Sequence, residues 1–138
     1  MEPEQEHCGR RAHGDCWTGP RVVDYVDAFT RADPVALVNL LRADVEMEMA
    51  PIPAWFTGRR AVVGFLASRV LRRGLWRMVP TRANGQPALV VYKRTGDGRY
   101  EAYGVQVLTL IGTRITRITA FNDPSLVPMF GLALALAT

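Results

Sequence analysis

From Pro20 onward the chain contains no histidine and no cysteine. Both histidines, His7 and His13, and both cysteines, Cys8 and Cys16, stand before that point. A histidine-dependent hydrolase, a cysteine nucleophile and a His-ligated metal are therefore excluded, unless the N-terminal segment folds back over a site. The Cys/His spacing of that segment matches no zinc pattern, so no metal or other cofactor is expected. Its charge- and glycine-rich composition predicts a disordered tail over residues 1–19. Lysine is almost absent too: Lys93 is the only one among 17 basic residues. The arginines are scattered, with doublets at Arg59-Arg60 and Arg72-Arg73, and no basic stripe interleaves with aromatics. The net charge of +4 then reads as a solvated surface, and no nucleic-acid partner is expected. No apolar run is long enough to span a bilayer, and the N-terminus has no apolar leader core. No membrane partner is expected, and the expected compartment is the cytoplasm.

What is present is enough for one core. The 138 residues are 49% hydrophobic, which predicts a single domain over residues 20–138. "PRVVDYVDAFTRAD" places Val22, Val23, Val26 and Phe29 at helical spacing, with Pro20 in the first turn. "DPVALVNLLRAD" restarts as a second helix, with Asp33 as its N-cap and Leu37, Leu40 and Leu41 as its stripe. "VEMEMAPIP" changes the period to two. Val45, Met47 and Met49 share one face, Glu46 and Glu48 the other, and Pro51 and Pro53 end the strand. A third helix follows from about Arg59 to Arg72 and stops at Gly74.

The remainder alternates as strand. "LWRMVPTRA" and "QPALVVYKRT" are joined by Asn84-Gly85, a strong hairpin signal. Two more hairpins turn at Gly96–Arg99 and at Gly112-Thr113. Alternation puts Tyr103, Val105 and Val107 on one face of the long strand and Leu108 and Leu110 on the other. Both faces are apolar, so a homodimer partner is expected to cover one of them. The segment after Asp123-Pro124 reads as an apolar tail. The order predicts an α+β fold: a cone-shaped, curved antiparallel sheet wrapped around three N-terminal helices, with an apolar cavity inside.

That order resembles the SnoaL-like family of the nuclear transport factor 2-like superfamily. The stretches "MAPIPAWFTGRRAV", "WRMVPTRANGQPALVVY" and "VQVLTLIGTRITRITAFNDPSLVPMFGL" are similar to the SnoaL-like extension of extracytoplasmic-function sigma factors. The resemblance runs from Val22 to Leu132, and only about 20 residues precede it, so a stand-alone copy is expected. It implies a small-molecule pocket, often in a dimer, but not one chemistry. Relatives include polyketide cyclases, ketosteroid isomerase-like proteins, epoxide hydrolases, binding modules and enzymes of Diels–Alder and six-plus-four cycloaddition. Sigma-type relatives tend to carry histidine where this chain has Tyr103, which weakens a histidine-dependent mechanism. The Asp-Arg-Asp set of the epoxide hydrolases is not recognisable here.

Two chemistries compete for the pocket. Proton transfer needs a positioned acid or base. Asp123, at the end of the last strand in "AFNDP", is the best carboxylate for it, although an Asp before Pro also starts turns. Glu101 is the next. A pocket that works by shape needs an apolar and aromatic lining with a few polar groups. Met47, Met49, Trp55, Phe56, Phe65, Trp76, Met78, Tyr92, Tyr103 and Phe121 supply the first; Tyr25, Asn84, Gln106 and Asn122 supply the second. The leading expectation is a cofactor-independent cyclase of bacterial macrolactone biosynthesis that folds an apolar polyene for pericyclic cycloaddition. The alternatives are an acid–base cyclase or isomerase using Asp123, and a ligand-sensing module related to the sigma-factor extensions.

Overall fold

A computed structural model of the protein describes residues 20–50 and 54–136. The expected N-terminal tail, Pro51 and Pro53 lie outside the described residues. Helix α1 (Pro20–Thr30) and helix α2 (Pro34–Leu40) open the fold. Strand β1 (Leu41–Ala50) and the short β2 (Ala54–Thr57) follow, then helix α3 (Arg59–Phe65). Strands β3 (Trp76–Ala83), β4 (Gln86–Arg94), β5 (Tyr100–Ile111) and β6 (Arg114–Phe121) complete the main sheet.

Each element follows from local rules. On α1, Val22, Tyr25, Ala28 and Phe29 are buried, the spacing of one helical face. Val23 does not belong to that face and is half exposed. Asp33 caps α2 by accepting from the Ala36 amide at 3.2 Å. Leu41, assigned above to the helical stripe, instead begins β1. The last turn of the third helix widens into a π turn over Leu66–Val70, closed by the Leu71 amide on the Leu66 carbonyl at 2.7 Å.

The strand order is β2-β1-β6-β5-β4-β3. The four later strands pair antiparallel through their hairpins, as alternation predicts. The β1–β6 pair is parallel, so the curved seven-stranded sheet is mixed and does not close. A parallel neighbour is available because the whole run from β2 to β5 separates β1 from β6 in sequence.

One irregularity sets the shape of β5. Its register against β4 shifts between the pairs Val91–Gly104 and Tyr92–Ala102, leaving Tyr103 as the extra residue. A side chain on Gly104 would run into the carbonyl oxygen of Phe121 on β6. Glycine is what lets the two backbones approach there. The bulge turns Tyr103 onto the face of Leu108 and Leu110, away from Val105 and Val107. Strict alternation had placed it on the opposite side.

The sheet thus has two apolar faces. The concave one packs on the helices through Phe29, Leu37, Val62, Leu66, Leu89 and Leu108. The convex one gathers Ala88, Val90, Tyr92 and Val105. The C-terminal segment is ordered structure over it: a 3-10 helix (Pro124–Phe130) and strand β7 (Ala135–Leu136), which pairs with the start of β5. Val127 of that helix is fully buried in the convex cluster.

Candidate functional site

The helices do not fill the concave face. A cavity of about 160 Å³ remains between α1, the π turn and the sheet. Trp76, at the start of β3, forms one wall. Its ring meets Tyr103 edge-on at 5.0 Å and Phe29 edge-on at 6.2 Å between centroids. Its indole N–H donates to the Val70 carbonyl at 2.8 Å. That bond satisfies a carbonyl of the π turn and leaves Trp76 to offer a ligand its ring alone.

The floor is polar at one point. The Tyr25 hydroxyl, fully buried, donates to Oε1 of Gln106 at 2.6 Å. Tyr25 does not itself line the cavity; Gln106 does. With Oε1 engaged, the Gln106 amide has its Nε2 protons left for a guest. Burial pushes the Tyr25 phenol well above its ordinary value, so it keeps its proton and serves as an orienting donor, not as a base.

Seven expected site residues border the cavity: Met47, Met49, Phe65, Trp76, Tyr103, Gln106 and Asn122. Others stand elsewhere. Met78 is buried core beside them, and Phe56 stacks on Phe65 at 4.4 Å. Tyr92 belongs to the convex cluster, where its hydroxyl donates to the Ala133 carbonyl at 2.7 Å. Trp55 is on the outer surface, with Arg117 over its ring at 4.8 Å and its indole N–H on Thr57. The alternation of β1 explains this: Trp55 pairs with Glu48, which points outward, not with Met47 or Met49. Phe121 is half buried beside Gly104 and does not border the cavity. Asn84 is exposed in the β3–β4 turn at φ 52°, followed by Gly85 at φ 79°, a turn role that excludes the cavity.

Asp123 is a cap. It accepts from the hydroxyl of Ser125 at 2.7 Å and from the Ser125 amide at 3.0 Å, at the first turn of the 3-10 helix. Those two bonds hold its carboxyl below the usual aspartate range while it stands exposed to solvent. A permanently ionised surface carboxylate is poorly suited to general acid–base work. Glu101 is exposed and does not border the cavity either. Among the described residues no carboxylate lines the cavity. Among the described residues no group of His, Cys, Asp or Glu could hold a metal ion.

Two cations join the expected residues at the cavity. Arg69, on the π turn, and Lys93, near the end of β4, both border the cavity. The Lys93 ammonium lies 5.8 Å from the Trp76 ring centre and 5.7 Å from that of Tyr103. The signal was available for Lys93: it stands two and four residues beyond Val91 and Leu89, on their face of the strand.

A curved sheet folded over three helices around a cavity is the architecture of the NTF2-like proteins. The chain belongs to the SnoaL-like domain family, whose model matches residues 22–118. It is 34% identical over 110 residues to the ECF RNA polymerase sigma factor SigG of Mycobacterium tuberculosis, covering 78% of this chain and 30% of that one. The chain therefore spans about a third of the curated relative it matches. Among solved structures, an NTF2-like protein of unknown function from Mesorhizobium loti superposes with a TM-score of 0.60, at 22% identity over 78% of this chain and 91% of that one. A putative ketosteroid isomerase from Kribbella flavida gives 0.61, at 24% identity over 81% of this chain and 82% of that one. At such identities these structures speak to the fold. No helix among the described residues is long and apolar enough to cross a membrane.

Proposed function

We propose that this domain binds a small, mainly apolar molecule in the cone and acts through occupancy of the cavity, as a ligand-sensing module. One observation carries the reading: the cavity wall offers rings, aliphatic side chains, the Gln106 and Asn122 amides and two cations, but among the described residues no carboxylate and no imidazole. The acid on which proton-transfer chemistry would depend, Asp123, is engaged as a cap. The similarity to a segment of SigG supports a sensing role, in which ligand occupancy alters contact with a partner of the transcription machinery.

The guest is modest in size. Pockets for drug-sized ligands run from about 300 to 1,000 Å³. A cavity of about 160 Å³ favours a ligand of one or two rings over the macrolactone expected from the sequence. A second reading keeps the cyclase. The Trp76–Tyr103 corner can hold a short polyene folded, and the Gln106 amide can donate to a carbonyl on it. Both readings use the same wall and differ in whether the guest leaves changed.

The test is direct. Protein purified from its own host should carry one small molecule, seen by native mass spectrometry and recovered by denaturing extraction. Returned to fresh protein, that compound should be recovered with its mass and retention time unchanged. Conversion to a product, lost in Gln106→Leu, would replace the sensor with the cyclase.

A further inference from the structure

The cavity carries positive charge at its exposed border. Arg69 and Lys93 line it, both exposed, and among the described residues no carboxylate does. Several charges elsewhere on the fold are paired. Arg21, Arg31 and Arg42 pair with Asp24, Asp27 and Asp44 on the outside. Arg117 holds Glu46 and Glu48 on the outer face. Arg69 makes no ion pair or hydrogen bond among the described residues. The neighbouring Arg72 binds the helix-end carbonyls of Ser68 and Leu71, so Arg69 is not needed for that task. Among the described residues the Lys93 ammonium lies over two aromatic rings and forms no ion pair. Glu101 stands opposite it in the β4–β5 pair, yet forms no ion pair with it within 4.0 Å. Two like charges bordering one cavity disfavour each other; the rings offset this for Lys93 alone, and a bound anion relieves it for both.

We propose that the natural ligand is an amphipathic carboxylate. Its flat apolar body lies against Trp76 and Tyr103, and its carboxylate is read at the mouth by Arg69 and Lys93. Guanidinium forks match a carboxylate bidentately, and the ammonium adds a mobile point charge. This inference rests on the ligand-binding reading and narrows it to one chemical class. It also gives the single lysine of the chain a role that a scattered surface charge does not have.

The test uses two probes of one shape, 2-naphthoate and 2-naphthylmethanol, titrated calorimetrically into the full chain at low salt. The protein should bind the acid at least about tenfold more tightly than the alcohol. Arg69→Gln and Lys93→Gln should each weaken the acid about five- to tenfold, and the double variant should erase the preference. The alcohol should stay within about twofold throughout, and added salt should narrow the gap. Equal or tighter binding of the alcohol by the unaltered protein overturns the carboxylate assignment while the ligand-binding reading stands. So does an acid preference that survives the double variant. Failure of both probes to bind overturns the carboxylate assignment and the ligand-binding reading together.

Discussion

Strand β4 sends Leu89, Val91 and Lys93 to one face of the sheet and Ala88, Val90 and Tyr92 to the other. On the convex side the chain supplies its own cover. Val127 is buried against Val90, Tyr92 and Val105, and the Tyr92 hydroxyl ties down the Ala133 carbonyl. On the concave side the helices stop short. Rings, two methionines and two amides are among the groups that surround space no described side chain fills. Equal hydrophobicity on the two faces therefore has different meanings. One face is a core partly covered by the chain's own C-terminal segment, and the other is a core left incomplete at the place where the polar groups stand. Incomplete packing costs stability, because the lining atoms lose contacts they would otherwise make. Its retention beside an oriented amide is what a binding site requires.

Substitutions on the two faces should separate these roles. The largest effect belongs to Trp76→Ala, which removes a buried indole and two ring contacts and should cost about 4 kcal/mol in urea unfolding. If the variant is too unstable to assay, Trp76→Phe should fold and still bind an apolar probe more weakly. Gly104→Ala comes next, at about 3 kcal/mol, because a methyl there meets the β6 backbone and not a flexible side chain. A loss below about 1 kcal/mol would show that the bulge is not held as described.

The paired tyrosines give the sharpest contrast. Tyr25→Phe and Tyr92→Phe each delete one buried hydroxyl and should each cost about 1 kcal/mol. Only Tyr25→Phe should weaken probe binding, since it frees the Gln106 amide to turn. Tyr25 also predicts a pH effect. Its folded-state value is raised by burial, so the unfolded chain releases this proton first. Stability should then fall as pH rises past the ordinary tyrosine value of 10.0, and the fall should be shallower in Tyr25→Phe. Asp123→Ala should have the smallest effect, a drop of a few degrees in thermal midpoint with probe affinity unchanged. A loss of affinity comparable to that of Gln106→Leu would return Asp123 to the site.

Much of this contrast can be read from the chain, and the exceptions have physical causes. Alternation in "VEMEM" places Met47 and Met49 inward and the glutamates outward, because a strand's period is fixed by its backbone. Asn84-Gly85 gives the hairpin for a similarly local reason. Tyr103 could not be placed by alternation, because the bulge depends on how closely β5 approaches β6, a contact 17 residues away in sequence between Gly104 and Phe121. Trp55 and Tyr92 look like pocket residues by type; only the register of β2 on β1, and the C-terminal cover, assign them outward. Arg69 and Lys93 look like solvated charges, since nothing local reveals that a cavity opens beside them.

On this reading the concave face binds, and the C-terminal segment covers the convex face. Methyl NMR on selectively labelled protein, titrated with 2-naphthylmethanol, tests it most directly. The account predicts shifts at Met47, Met49 and Val91, with Val90 and Val127 unmoved. Shifts centred on Val90 and Val127, or no shifts at a probe concentration that saturates calorimetric binding, would contradict it.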